Sequence, residues 1–183
     1  GVSRISIPLY GSYSEWHDGI TQSPGSFAQT IDGISNLQSL RTNQTQYVEL
    51  ELKLLHSRVT KDENFKTLDL ITTSLSPIDR LVFSGLFMSS TAISHKDEVF
   101  VRFEDTIEEI TQLVERILIL QLPLVVYYLP LCLLKKNALD YVIASKRHSV
   151  VLDRNLSQNF LDYPHPYVYF CSEITDGISV QRQ

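Results

Sequence analysis

Ile117 to Leu134 reads ILILQLPLVVYYLPLCLL, a run whose only polar side chains are Gln121, Tyr127 and Tyr128. It has to be buried, in a bilayer or in a protein core. Its length would suffice for a membrane span, and Lys135 and Lys136 follow it as flanking charges would. Two features favour the core. The lead-in is amphipathic: Ile107, Ile110, Leu113, Val114, Ile117 and Leu120 trace one helical face, and Glu108, Gln112, Glu115 and Arg116 trace the other. Pro123 and Pro130 then cut the run, because proline removes a backbone donor and disfavours helix in the residue before it. The stretch therefore divides into the end of a surface-facing helix, a short strand from Leu124 to Leu129 covered on both faces, and the first turn of a second helix opened by Pro130.

Working outward towards the carboxyl terminus, Leu131, Leu134, Ala138, Tyr141, Val142 and Ser145 continue the stripe of that second helix. Lys146, Arg147 and His148 complement the negative end of its dipole. Val150 to Leu152 reads as a short strand, Asn155 to Leu161 as a helical turn, and Tyr167 to Cys171 as a last strand. Upstream of the run, Val99, Val101 and Phe103 read as a strand, and Thr106 with Glu109 offers a capping box for the helix that follows. From Val99 onward strand and helix thus alternate, the pattern of helices laid over a parallel sheet.

The first half reads differently. Ile5, Ile7 and Leu9 alternate with polar residues and Pro8, predicting a strand that prefers the edge of a sheet. A turn-rich loop anchored by Trp16 follows, then a helix from Ser26 to Leu40 with Phe27, Ile31, Ile34, Leu37 and Leu40 on one face. Val48, Leu50, Leu52 and Leu54 alternate with Glu49, Glu51 and Lys53, the clearest strand signal in the chain. Phe65 to Thr73 is predicted to return antiparallel to it through the turn at Lys61 to Asn64. Ser76, Pro77 and Asp79 have the character of a helix start, predicting a helix to about Met88 with a polar loop after it. The expected fold is α/β: a mixed sheet with an antiparallel N-terminal half and a βαβαβ C-terminal half, helices packed on the sheet, with α+β as the alternative. Residues 1–183 are expected to form one domain, in which 1–45 could be an N-terminal extension packed on the rest.

Composition narrows the function. A chain of 183 residues with 43% apolar and 20% charged residues is that of an ordinary globular domain, long enough to bury roughly 70% of its unfolded surface. A net charge of -5 argues against nucleic acid, since phosphate binding rests on clustered Lys and Arg. No GxxxxGK[ST] or GxGxxG is present, nor CxxC, HxxxH, HExxH or GxSxG, so no nucleotide, metal or other cofactor is expected. Cys132 and Cys171 sit among apolar neighbours as free thiols would, and GVSRISIPLY lacks the apolar core of a secretion signal, although Asn43 and Asn155 begin glycosylation sequons. An intracellular protein, cytoplasmic or nuclear, is expected.

Three constellations could carry chemistry or binding. Trp16, His17 and Asp18 place a histidine beside a carboxylate, although sequence neighbours point apart and an anchoring tryptophan is the plainer reading. His148 and Asp153 would stand about 15 Å apart across a short strand. Asp162 to Tyr167 is a proline-stiffened loop that presents Tyr163, His165 and Tyr167, rigid aromatic area suited to recognition or simply to a strand entry. With Leu86, Phe87 and Met88 at a helix end and Tyr169 on the last strand, these are the candidate contact residues. The expectation is a non-catalytic protein-interaction or scaffold subunit of an intracellular complex, its partner another protein chain. A hydrolase-type enzyme assembled from His17, Asp18, His148, Asp153 and His165 is the alternative, and a membrane-associated protein the third.

Overall fold

The computed structural model describes residues 2–41, 47–86, 90–102 and 105–129. In chain order these form β1 (Arg4–Leu9), α1 (Ser14–Thr21), α2 (Ser26–Arg41), β2 (Glu49–His56), α3 (Asn64–Ser74), β3 (Arg80–Gly85), α4 (Ser90–Ser94), α5 (Lys96–Val99), α6 (Ile107–Ile119) and β4 (Leu124–Tyr127). A short 3-10 turn, Lys61–Glu63, leads into α3.

The four strands make one sheet in the order β1-β2-β3-β4, and every neighbouring pair is parallel. Register places Ile7, Leu52, Leu81 and Leu124 in one row and Leu9, Leu54, Phe83 and Val126 in the next. These rows pack against Ile34 of α2, Leu68 and Ile71 of α3, and Ile110, Leu113, Val114 and Ile117 of α6 in a single apolar core. All three long helices therefore lie on one face. This is what right-handed crossovers require when each strand is added beside the one before it.

The opposite face carries the alternate residues. Its rows are Arg4 with Glu49; Ser6, Glu51 and Arg80; Pro8, Lys53, Val82 and Val125; and Leu55, Ser84 and Tyr127. In β4 Leu124, Val125 and Val126 are buried in succession, so the strand cut out by the two prolines is covered on both faces. Among the described residues β1 is an end strand, where a proline that cannot donate is tolerated.

The expected antiparallel N-terminal half is overturned by this sheet. Phe65 to Thr73 is not a strand but lies in α3, whose buried stripe is Asn64, Thr67, Leu68 and Ile71. Two polar residues on that stripe hide the helical period; the Thr67 hydroxyl donates to the Glu63 carbonyl at 2.9 Å and so sits in the core without cost to its hydrogen bonding. Similarly, the segment read as a helix from Ser76 holds β3, Arg80–Gly85. The Asp79 carboxylate accepts from the Leu50 amide at 2.7 Å instead of facing a helix dipole, and Leu81, Val82 and Phe83 are buried in succession, as in a strand covered on both faces.

Smaller corrections follow the same logic. The loop around Trp16 contains α1, the loop from Ser89 contains α4 and α5, and Val99 ends α5 instead of opening a strand. The capping box at Thr106 does not form: its hydroxyl makes no cap bond and pairs with His56. The helix after Pro130 and the strands at Val150 and Tyr167 lie outside the described residues. Among the described residues no helix is long and apolar enough to cross a membrane.

Candidate functional site

In parallel α/β sheets the segments leaving the carboxyl ends of the strands build the site, because the opposite ends feed from the helices and the crossovers. Buried polar side chains gather at that edge here: His56 ends β2, His17, Ser57, Thr60, Glu63 and Asn64 follow β1 or β2, and Thr106 immediately precedes α6.

Most of them have evident structural work. Glu63, almost fully buried, accepts from Ser12 Oγ at 2.9 Å and from Lys66 Nζ at 2.6 Å, which ties the segment after β1 to the start of α3. Trp16 Nε1 donates to the Val59 carbonyl at 3.1 Å, and its ring fills the space beside Gly11, where a Cβ would come within 2.7 Å of it. His17 Nδ1 accepts from the Tyr10 amide at 3.3 Å and its ring is flanked by Tyr10 and Phe27; burial lowers its pKa against the raising pull of Asp18. Asp18 receives the Gly25 amide at 2.6 Å, the Ser26 hydroxyl at 2.9 Å and the Phe27 amide at 2.7 Å, so its carboxylate caps the start of α2. The Phe27 amide is the main cause holding its pKa below the ordinary value. His56 Nε2 lies 2.9 Å from Thr106 Oγ1 with the ring edge-on to Phe83, and burial pushes it down to about 4.

At the amino edge, Asp79 gathers Arg41 and Tyr47 beside an open groove of about 600 Å³. Its groups are turned on one another: Gln38 Nε2 donates to the Leu75 carbonyl at 2.6 Å, and Arg41 stacks over Tyr47 at 4.6 Å. This cluster binds the end of α2 to the sheet.

The face opposite the helices is chemically different. Glu49 receives Arg4 at 2.6 Å and lies 3.9 Å from Arg80, which is 3.8 Å from the buried Glu51. Lys53, half-buried one row nearer the carboxyl edge, makes no ion pair among the described residues. Beyond it stand Ser84, whose hydroxyl donates to the Gly85 carbonyl at 2.8 Å, and the half-buried Tyr127. Gly85 is required there, since a Cβ would sit 2.2 Å from the Tyr128 carbonyl oxygen where the chain leaves β4.

His17 and Asp18 are neighbours that serve different partners, and neither turns towards Lys53's face as part of a shared cleft. Leu86 is half-buried immediately after β3, at the carboxyl edge. Phe87, Met88, His148, Asp153, Tyr163, His165, Tyr167 and Tyr169 lie outside the described residues. Among the described residues no group of histidines, cysteines and acids is placed to hold a metal. Lys53 was hidden in the sequence because the charged face of β2 looks like a solvent face; in an inner strand of a parallel sheet, which is ordinarily covered on both sides, those charges are themselves the signal. No protein-family model, curated protein or solved structure matches the chain.

Proposed function

We propose that this chain forms one wall of a β/α-barrel-type site, in which a small molecule binds at the carboxyl end of the sheet face opposite the helices, against Lys53, Ser84 and Tyr127. The observation that carries the reading is the placement of α2, α3 and α6 on one face while the other presents Arg4, Glu49, Glu51, Lys53 and Arg80. Parallel sheets have both faces covered. A sheet whose strands follow chain order, with helices on one side, covers its second face by curling, and that face then looks inward with its site at the carboxyl end. Titrating isotope-labelled protein with a library of small polar metabolites tests this. Amide shifts clustered at residues 53–57, 84–86 and 127–129 are expected; shifts confined to the outer surfaces of α2 and α6, or none with any compound, would overturn it.

The second reading is the protein-interaction subunit, set in an intracellular complex where Cys132 and Cys171 would stay reduced. It is favoured by Ile119, which is 80% exposed at the end of α6 beside Leu120 at 41%. Light scattering after size-exclusion chromatography tests it. A concentration-independent monomer whose mass is unchanged by Ile119→Glu would count against a contact through that patch.

A further inference from the structure

We infer that the ligand group seated on Lys53 is an anion, a carboxylate or a phosphate. This rests on the reading above and goes beyond it to the ligand's chemistry. The surroundings of Lys53 are decided by register. On either side of it in its row stand Pro8 and Val82, with Val125 next, and none of these side chains can accept a hydrogen bond. Val82 and Val125 are buried, so the lysine stem lies along an apolar floor.

The two carboxylates on this face are committed elsewhere, Glu49 to Arg4 and Arg80 and Glu51 to Arg80. Among the described strand residues of this face, two arginines and one lysine stand against two glutamates, one positive charge in excess, and Lys53 is the cation there without a partner. The next row, Leu55, Ser84 and Tyr127, holds no carboxylate, lysine or arginine. The lysine is half-buried as a residue, and its ammonium carries three donors that no described side chain in its row can accept. An anion entering from the carboxyl edge passes the row of Leu55, Ser84 and Tyr127 and then meets that charge. A metal ion or a cationic group would be repelled by the same excess.

The direct test observes the lysine itself. Isotope-labelled protein is titrated separately with inorganic phosphate and with acetate, and the Lys53 side-chain signals are followed together with the amides of Lys53, Ser84 and Tyr127. Saturable shifts of these signals with one or both probes are expected, the stronger probe naming the class. Lys53→Gln should weaken that binding about tenfold or more and Lys53→Arg should keep it, while Lys66→Gln, on the far side of α3's start, should leave it unchanged. Circular dichroism checks that each variant folds, and the side-chain signals of the unmodified protein give the answer should Lys53→Gln fail to do so. If neither anion moves these signals but neutral metabolites do, the inference fails and the proposed site stands; if no compound of either kind reaches them, both fall. Binding equally strong in a folded Lys53→Gln variant also overturns it.

Discussion

His56 ends β2 with its ring sealed against Phe83, and its charge state is tied to folding. The folded protein keeps the imidazole neutral down to about 4, whereas the unfolded chain takes up the proton near 6.5. Stability from the neutral ring is therefore complete above pH 6.5 and is lost as pH falls towards 4, by at most about 1.4 kcal/mol per pH unit and roughly 3 kcal/mol in all. His17, lowered by burial, acts in the same direction; Glu109, raised by burial, acts oppositely and in the carboxylate range. Urea unfolding between pH 7 and pH 4 should show this decline, and His56→Gln should flatten it; a decline of the same size in the variant would show that another group is responsible. Gly85 makes a second single-residue demand. A methyl group there meets a backbone oxygen that cannot rotate away, so Gly85→Ala should cost about 1–3 kcal/mol, read as a lowered thermal midpoint. An unchanged midpoint would mean that the chain after β4 moves freely aside.

At the scale of elements, legibility followed the chemistry of the inward face. β2, α2 and α6 bury apolar stripes, and their residues announce their own period, while β4 is marked by a continuous apolar run after Pro123. α3 buries Asn64 and Thr67 beside Leu68 and Ile71, so the alternation of Leu68 and Leu70 with Thr67 and Asp69 imitates a strand. β3 is a short buried run entered through Ser76, Pro77 and Asp79, residues that cap helices elsewhere; only the tertiary use of Asp79, which serves Leu50 and Arg41, shows otherwise. The helical assignment of α3 makes a graded prediction. Leu68→Ala should cost about 2–5 kcal/mol because it empties a position sealed between sheet and helix. Asp69→Ala should cost under about 1 kcal/mol, since its pair with Arg116 at 2.5 Å is half exposed to solvent. Equilibrium unfolding in urea ranks the two, and comparable losses would contradict the orientation of the helix.

For the whole molecule, the run at Ile117 to Leu134 located a strand buried on both faces after Pro123 but could not say how the strands ahead of it ran. Parallel and antiparallel pairings bury the same alternate residues of β2, and the distinction lay in α3, where the period was masked. The candidate site was less legible still, because a charged strand face becomes informative only when the helices are known to occupy the other one. The sheet's plain arrangement has one more consequence. Since spatial order repeats chain order, a further strand and helix gained at either end would extend the sheet without unpairing an interior strand, and the loss of a terminal unit would expose only a new edge. Such a chain can lengthen by duplication of a unit while each older neighbour keeps its register, so its architecture is one that inheritance can build stepwise.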